Sequence, residues 1–158
     1  MKLVSLFAAL AFIAATTATQ AADTPGSSPA ARTPSTAERL ASARKAIEAK
    51  DWSAALRELS AAEREEPRNA DVQNLLGYSY RKRANPDLPK AISHYQTALR
   101  LEPRHKGAHE YLGEAWLMDG KPAEAEKHLA ELEKICGGKG CEEYQDLAKA
   151  IAAHKAQR

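Results

Sequence analysis

The stretches Asn74-Leu-Leu-Gly-Tyr78 and Glu110-Tyr-Leu-Gly-Glu114 repeat one pattern, thirty-six positions apart in the chain. In each stretch an aromatic residue follows the glycine by three positions, Tyr80 in the first and Trp116 in the second. Self-similarity at a period of about 20 to 50 residues is typical of stacked supersecondary units. The sequence therefore predicts a repeat protein rather than a single compact bundle.

A second self-match indicates what the units contain. Ala55-Leu56 precede Pro67 by the same distance as Ala91-Ile92 precede Pro103. Between these markers the apolar residues recur at the spacing of one helical face, and no segment alternates as a half-buried strand would. The apolar stripes are Leu56, Leu59 and Ala62, then Ile92, Tyr95 and Leu99, then Leu129, Leu132 and Ile135. The pattern predicts an all-α fold.

The boundaries of these helices carry matching residues. Ser35 and Glu38 have the spacing of a capping box, in which each side chain binds the other residue's backbone N–H. Pro67 and Pro103 are expected to stop helices, while Gly120 suits a turn and Pro122 the first position of the next helix. Three further helices have predicted N-caps at Asp51, Asn69 and Asp87.

The repeated positions resemble the tetratricopeptide repeat family over about residues 36–136. The middle unit has Leu76, Gly77, Tyr80, Ala91, Ala98 and Pro103 in the family's places, and the third unit has Leu112, Gly113, Trp116, Gly120 and Ala125. The first unit matches in its second helix, at Trp52, Ala55, Leu59, Ala62 and Pro67, whereas Ser42, Ala43 and Ala46 stand where Leu, Gly and Tyr belong.

The resemblance implies an α-solenoid of three helix pairs, over about residues 36–69, 70–105 and 106–137. The middle unit has two residues more than the usual length of about 34, and they fall in the turn at residues 84–87. The third unit lacks a closing proline and runs into the Gly-rich segment between Cys136 and Cys141. An amphipathic capping helix over about residues 141–156 then completes the repeat domain, residues 36–156.

The N-terminal residues have the pattern of an export signal. Residues 1–22 combine Lys2, an apolar run over residues 3–15 and a stretch of small residues, which predicts a cleaved signal peptide. An uncleaved anchor is the alternative, but the apolar run is shorter than the about 20 residues of a membrane span. Residues 23–35, rich in Pro, Ser and Ala, are predicted to be a disordered linker. The resemblance to exported bacterial repeat proteins and the Ala-rich signal imply a bacterial protein. The expected location is the periplasm or the exterior, without stable membrane insertion after cleavage.

The remaining composition argues against several classes of protein. Removing Lys2 with the signal takes Lys plus Arg from 23 to 22, against 21 Asp plus Glu, so nucleic acid is not an expected partner. The chain shows no phosphate loop, no nucleophile elbow and no recognisable carboxylate pair. We therefore expect no catalytic residues and no cofactor.

Two clusters are candidates for metal or redox chemistry. Cys136 and Cys141 in an exported chain favour a structural disulfide, with a redox-active or metal-binding pair as the alternatives. The four-residue spacing differs from that of thioredoxin-like motifs. His105 and His109 have the spacing of one helical face, but the Glu of a helical zinc protease is missing between them. They are predicted to be solvated surface residues, and no metal site is expected.

The family resemblance implies that partners bind in a groove lined by the first helix of each unit. The implied groove residues are Arg44, Ile47, Glu48, Asn74, Tyr78, Arg81, Lys82, Glu114, Leu117 and Met118. The basic residues Arg81 and Lys82 beside the apolar Leu117 and Met118 suit a peptide with an acidic and an apolar feature. Trp52, Tyr95, Tyr111 and Trp116 are predicted to be core residues.

Relatives that hold a C-terminal carboxylate use a clamp of Lys, Asn and Arg. The corresponding positions here are Leu40, Arg44, Leu75, Gly107 and Tyr111, of which only Arg44 keeps a suitable charge. That activity is therefore not expected. The leading function is a non-catalytic adaptor in the cell envelope that binds a protein or peptide. The alternatives are a self-assembling structural protein, which leaves homo-oligomers open, and a thiol-redox or metalloprotein-maturation accessory that uses the cysteine pair.

Overall fold

The computed structural model describes residues 32–157, and within this range the secondary structure is entirely helical. The predicted signal peptide and residues 23–31 of the predicted linker lie outside the described residues. The seven helices are α1 (Thr36–Glu48), α2 (Trp52–Glu65), α3 (Ala70–Lys82), α4 (Leu88–Leu101), α5 (Lys106–Met118), α6 (Pro122–Cys136) and α7 (Glu142–Ala156).

Each helix packs against the next one in the chain, and two further contacts join α3 to α5 and α5 to α7. The helices α1/α2, α3/α4 and α5/α6 therefore form three pairs whose first helices lie side by side, and α7 extends the row. The predicted all-α repeat fold with a final helix is confirmed. In the part of the chain that the structure describes, no helix combines the length and apolar character that crossing a membrane requires.

The helix boundaries follow the capping residues of the sequence. The Ser35 N–H donates to a Glu38 carboxylate oxygen at 2.8 Å, and the Glu38 N–H donates to Ser35 Oγ at 3.4 Å, which confirms the capping box. The predicted N-caps of α2, α3 and α4 are also confirmed, because Asp51, Asn69 and Asp87 each accept a backbone N–H in the first turn.

The glycines of the two Leu-Gly pairs mark the closest approaches between helices. A Cβ added to Gly77 would lie 2.7 Å from ring carbons of Tyr95 on α4. A Cβ added to Gly113 would lie 2.6 Å from a methyl carbon of Leu147 on α7. The two glycines hold equivalent positions in their units but contact different helices. Gly77 contacts the second helix of its own pair, whereas Gly113 contacts the final helix.

Three buried clusters follow one another along the stack. The first joins α1, α2 and α3, the second is centred on Tyr95 and Leu112, and the third holds α7 through Leu147 and Ile151. Before α7, the chain turns at Gly137, which has the left-handed φ of 67° that favours glycine. The sulfurs of Cys136 and Cys141 are bonded to each other across this turn.

Candidate functional site

The helices α1, α3, α5 and α7 together line a groove that contains three neighbouring cavities. The first cavity, about 230 Å³, is lined by Arg44, Ile47, Glu48, Leu75, Tyr78 and Tyr111. The second, also about 230 Å³, has Asn74 and Glu110 in its walls and is called the acidic cavity below. The third, about 440 Å³, is lined by Arg81, Lys82, Glu114, Leu117, Met118, Ala150, Ala153, His154 and Gln157. All ten residues that the sequence singled out for the groove line one of these cavities.

The centre of the groove is built around Arg81. Its Nη2 lies 2.6 Å from a Glu114 carboxylate oxygen, and its Nε donates to the Tyr95 hydroxyl at 3.2 Å. The guanidinium carbon lies 5.6 Å from the ring centre of Tyr78 and 5.5 Å from that of Tyr111, within the range of cation–π attraction. Arg81 therefore ties α3 to α4 and α5 inside the groove wall.

This geometry corrects the predicted basic patch of Arg81 and Lys82. The Arg81 side chain is only 5% exposed and its charge is compensated by Glu114. Lys82 is exposed, with its ammonium 5.9 Å from the ring centre of Tyr78. The open part of the predicted patch is therefore a single lysine beside Met118, whose side chain is half exposed.

The acidic cavity contains more carboxylates than cations. Its acidic residues are Glu110 on α5 and Glu142, Glu143 and Asp146 on α7. The Glu110 residue is 8% exposed, and burial raises the pKa of its carboxyl to about 8, with repulsion from Glu114, Asp146 and Glu143 adding to the effect.

Two uncharged residues complete the wall of the acidic cavity. Asn74 is 6% exposed, and its buried Oδ1 has no hydrogen-bond donor among the residues described. Gly107 faces it, since a Cβ on Gly107 would come within 3.3 Å of Asn74 Nδ2. The wall of the cavity therefore includes a buried amide whose oxygen lacks a donor, together with a buried carboxyl.

Sequence reasoning missed the contribution of α7 to the groove. That helix was expected to cap the stack, and it does bury Leu147 and Ile151. Its other residues form walls of the acidic cavity and of the third cavity. Tyr111, expected in the core, packs against it but also lines the first two cavities. The amphipathic pattern of α7 gave its apolar face, but only the spatial arrangement shows which carboxylates face Glu110.

The positions of the carboxylate clamp also lie in this region. Leu75 is buried and Leu40 is half-buried beside the first cluster. Arg44 remains exposed, 3.8 Å from a carboxylate oxygen of Asp71. Of the charges that such a clamp requires, only that of Arg44 is present, because Leu40, Leu75, Gly107 and Tyr111 occupy the other positions.

The histidine prediction is wrong for His109. This residue is 7% exposed, its Nε2–H donates to the Pro103 carbonyl at 3.0 Å, and its Nδ1 lies 3.0 Å from Nδ1 of His128. Since Nε2 carries the hydrogen in the neutral ring, Nδ1 of His109 accepts the Nδ1–H of His128. His105 is the N-cap of α5 and accepts the Ala108 N–H at 3.1 Å. Both rings make structural contacts that the helical spacing alone did not reveal.

A group of three potential metal ligands within the described range is formed by Cys136, Cys141 and Glu143. The two sulfurs are bonded to each other in this structure, so they are not free to act as thiolate ligands. The cysteine pair therefore acts here as a covalent link between α6 and α7.

Comparisons with known proteins agree with this architecture. A family model described as "Tetratricopeptide repeat" matches residues 40–88 and 82–139. A search of curated proteins finds no match.

Solved structures with a similar fold include the TPR2B domain of yeast Sti1 in a pHsp70 complex, with 15% identity and a TM-score of 0.69. They also include the first TPR of Spaghetti (RPAP3) bound to the HSP90 peptide SRMEEVD, with 16% identity and a TM-score of 0.66. A third is the type III secretion translocator chaperone SycD of Yersinia enterocolitica, with 16% identity and a TM-score of 0.65. The matches cover 78%, 77% and 77% of this chain and 98%, 93% and 92% of the respective relatives. At this identity the likeness shows the fold.

Proposed function

Because the chain belongs to the tetratricopeptide repeat family, we propose that it is a non-catalytic scaffold that binds a segment of a partner protein in the groove. The observation that carries the proposal is the row of three adjoining cavities along α1, α3, α5 and α7. Aromatic rings, one exposed methionine and charged side chains line this row, a mixture suited to a polypeptide.

The solved relatives support a peptide-binding role in general. The Sti1 domain and the Spaghetti domain are in complexes with pHsp70 and with an HSP90 peptide, and SycD is a translocator chaperone. The peptide SRMEEVD carries three acidic residues. The groove of this chain has carboxylates in its acidic cavity and one exposed lysine in its third cavity, so we propose a partner of different charge.

The proposed setting is the cell envelope, with the chain exported to the periplasm or beyond and acting as an adaptor during assembly or maturation of a complex. Two features support this setting. Residues 1–22 have the pattern of an export signal. The Cys136–Cys141 bond belongs in an oxidising compartment.

Photo-crosslinking with the full chain in the exporting cell tests this proposal. A photoreactive amino acid replaces Met118 or Lys82 in the groove, and as matched controls Gln96 or Arg100, which are exposed on α4. We expect adducts with one partner protein from the groove positions and none from α4. Equal adducts from both faces would contradict groove binding. Adducts between copies of the chain alone would favour the self-assembling alternative.

A further inference from the structure

We propose that the acidic cavity is a subsite for one basic side chain, lysine or arginine, of the bound polypeptide. This inference rests on the proposed groove-binding function and specifies the chemistry of the partner.

The distribution of charge around the cavity carries the first part of the argument. Carboxylates from two helices face one another here, Glu110 from α5 and Glu143 and Asp146 from α7. Within residues 32–157, Arg44 is the one cation that lines the cavity, and it lies 3.8 Å from Asp71, which does not line the cavity. Lys106 Nζ lies 3.4 Å from Glu143. Arg81 is held by Glu114. An additional cation in the cavity would relieve the repulsion among its carboxylates.

The unpaired acceptor of Asn74 carries the second part. Buried polar atoms normally have a hydrogen-bond partner. Asn74 Oδ1 is buried without a donor within the described part of the chain, and Asn74 lines the same cavity as Glu110. Lysine and arginine side chains carry only donors, so they match a cavity of acceptors. Gly107 lines the same cavity and, because it has no Cβ, leaves space beside Asn74 Nδ2.

The size of the cavity favours an organic cation over a metal ion. Its volume is about 230 Å³. Among the described residues, its carboxylate oxygens do not form a set of three within 4.8 Å of one another. Acceptors dispersed over such a space fit a guanidinium, or an ammonium on its alkyl chain, and not a small divalent ion with short ligand distances.

The titration of Glu110 adds a signature that a merely structural cluster lacks. Its pKa of about 8 means that much of the free protein carries a neutral Glu110 at neutral pH. A bound cation favours the carboxylate, so binding expels this proton. Affinity for a basic side chain is therefore expected to rise between about pH 6 and pH 8.5. The charged groups that act on Glu110 are Glu114, Asp146 and Glu143, which raise its pKa, and Arg81, which lowers it.

The experiment is a selection of groove-binding peptides from a random library, with the full processed chain as target. Selected peptides are resynthesised with each basic residue replaced by norleucine, which keeps the alkyl chain without the charge. We expect one Lys or Arg position to be fixed, and its replacement to weaken binding at least about tenfold, as for loss of a charged hydrogen bond.

A matched pair of variants assigns the effect to the cavity. The double variant Glu110→Gln/Asp146→Asn should bind the parent and norleucine peptides almost equally and lose the pH dependence. The control Glu126→Gln/Glu133→Gln removes two carboxylates from the exposed face of α6 and should keep the difference.

The outcomes separate the two proposals. Groove-binding peptides without a fixed basic residue, or an equal loss in both double variants, would overturn the cationic subsite and leave the scaffold function standing. Failure to select any peptide whose binding depends on groove residues would overturn both.

Discussion

The guanidinium of Arg81 lies 2.6 Å from the carboxylate of Glu114, and this ion pair joins α3 to α5 beneath the surface of the groove. Replacing Arg81 by Met leaves a partly buried carboxylate and the Tyr95 hydroxyl without their partner. We expect the free energy of unfolding to fall by about 3 kcal/mol, measured by urea denaturation. The neighbouring control Lys82→Met removes an exposed charge and should change stability by less than about 0.5 kcal/mol. Similar losses in both variants would contradict the structural role of Arg81.

The contact between Gly113 and Leu147 predicts an unusual cost for a helix-favouring substitution. In an exposed helix, Gly→Ala would stabilise by about 1 kcal/mol. Here the new methyl group meets Leu147 at 2.6 Å, and overpacking should lower the free energy of unfolding by about 1–3 kcal/mol. Thermal and urea denaturation measure the effect. In a Leu147→Ala background the same substitution should be neutral or stabilising, and an unchanged penalty there would show that α7 does not pack as described.

The raised pKa of Glu110 predicts a loss of stability as the pH rises. Its folded pKa of about 8 lies above its ordinary value of 4.5, so the folded state holds the proton more tightly than the unfolded chain. Its contribution is fully present below about pH 4.5 and is lost as the pH rises to about 8. The variant Glu110→Gln should match the wild type near pH 5 and exceed it by on the order of 4 kcal/mol at pH 8.5. Parallel stability curves for the two proteins would contradict the assignment.

The lowered pKa of His128 predicts a loss of stability as the pH falls. Burial, together with the neighbouring His109, lowers the pKa of its imidazole from 6.5 to about 4. The unfolded chain therefore takes up the proton first, and stability is lost as the pH falls from about 6.5 to about 4. The variant His128→Gln should lose less stability than the wild type between pH 7 and pH 4.5, by about 2 kcal/mol in urea denaturation. An equal acid sensitivity of both proteins would show that His128 does not titrate in this way.

Removing the Cys136–Cys141 bond distinguishes the proposed scaffold function from the thiol-redox alternative. Replacing Cys141 by Ser opens a very short loop, for which chain entropy gives a loss of about 2 kcal/mol in stability. We expect partner binding, measured well below the unfolding temperature, to be unchanged within about twofold. Loss of partner binding or of cellular function at full folded population would instead favour a thiol-redox role.

The repeat architecture was predictable because its determinants are local or periodic. The capping residues and the spaced prolines each act within a few residues of their own position, and the Leu-Gly pairs recur at a fixed period. The paired state of Arg81 was not predictable in this way, since Glu114 lies thirty-three residues further on and a second unit must stack before the two meet. The repeat pattern did indicate which residues face the groove, but it gave neither their burial nor their partners.

The acidic cavity and the buried His109 were missed for related physical reasons. From the family pattern, the final helix is expected only to bury apolar surface at the end of the stack. The pattern therefore did not predict which residues lie opposite the carboxylates of Glu143 and Asp146. In His109, a polar residue on a mixed helical face resembles a surface residue until the facing helix supplies His128. In both cases the missing information was the identity of a side chain on another helix.

The position of α7 couples the number of repeats to the selectivity of the groove. Because α7 both covers the last apolar cluster and supplies carboxylates opposite Glu110, inserting a fourth helix pair before it would carry those carboxylates one unit away from Glu110 and Asn74. An elongated version of the chain would keep its fold and lose this cavity. In a repeat protein of this kind, the number of repeats therefore also determines which partners the groove can bind.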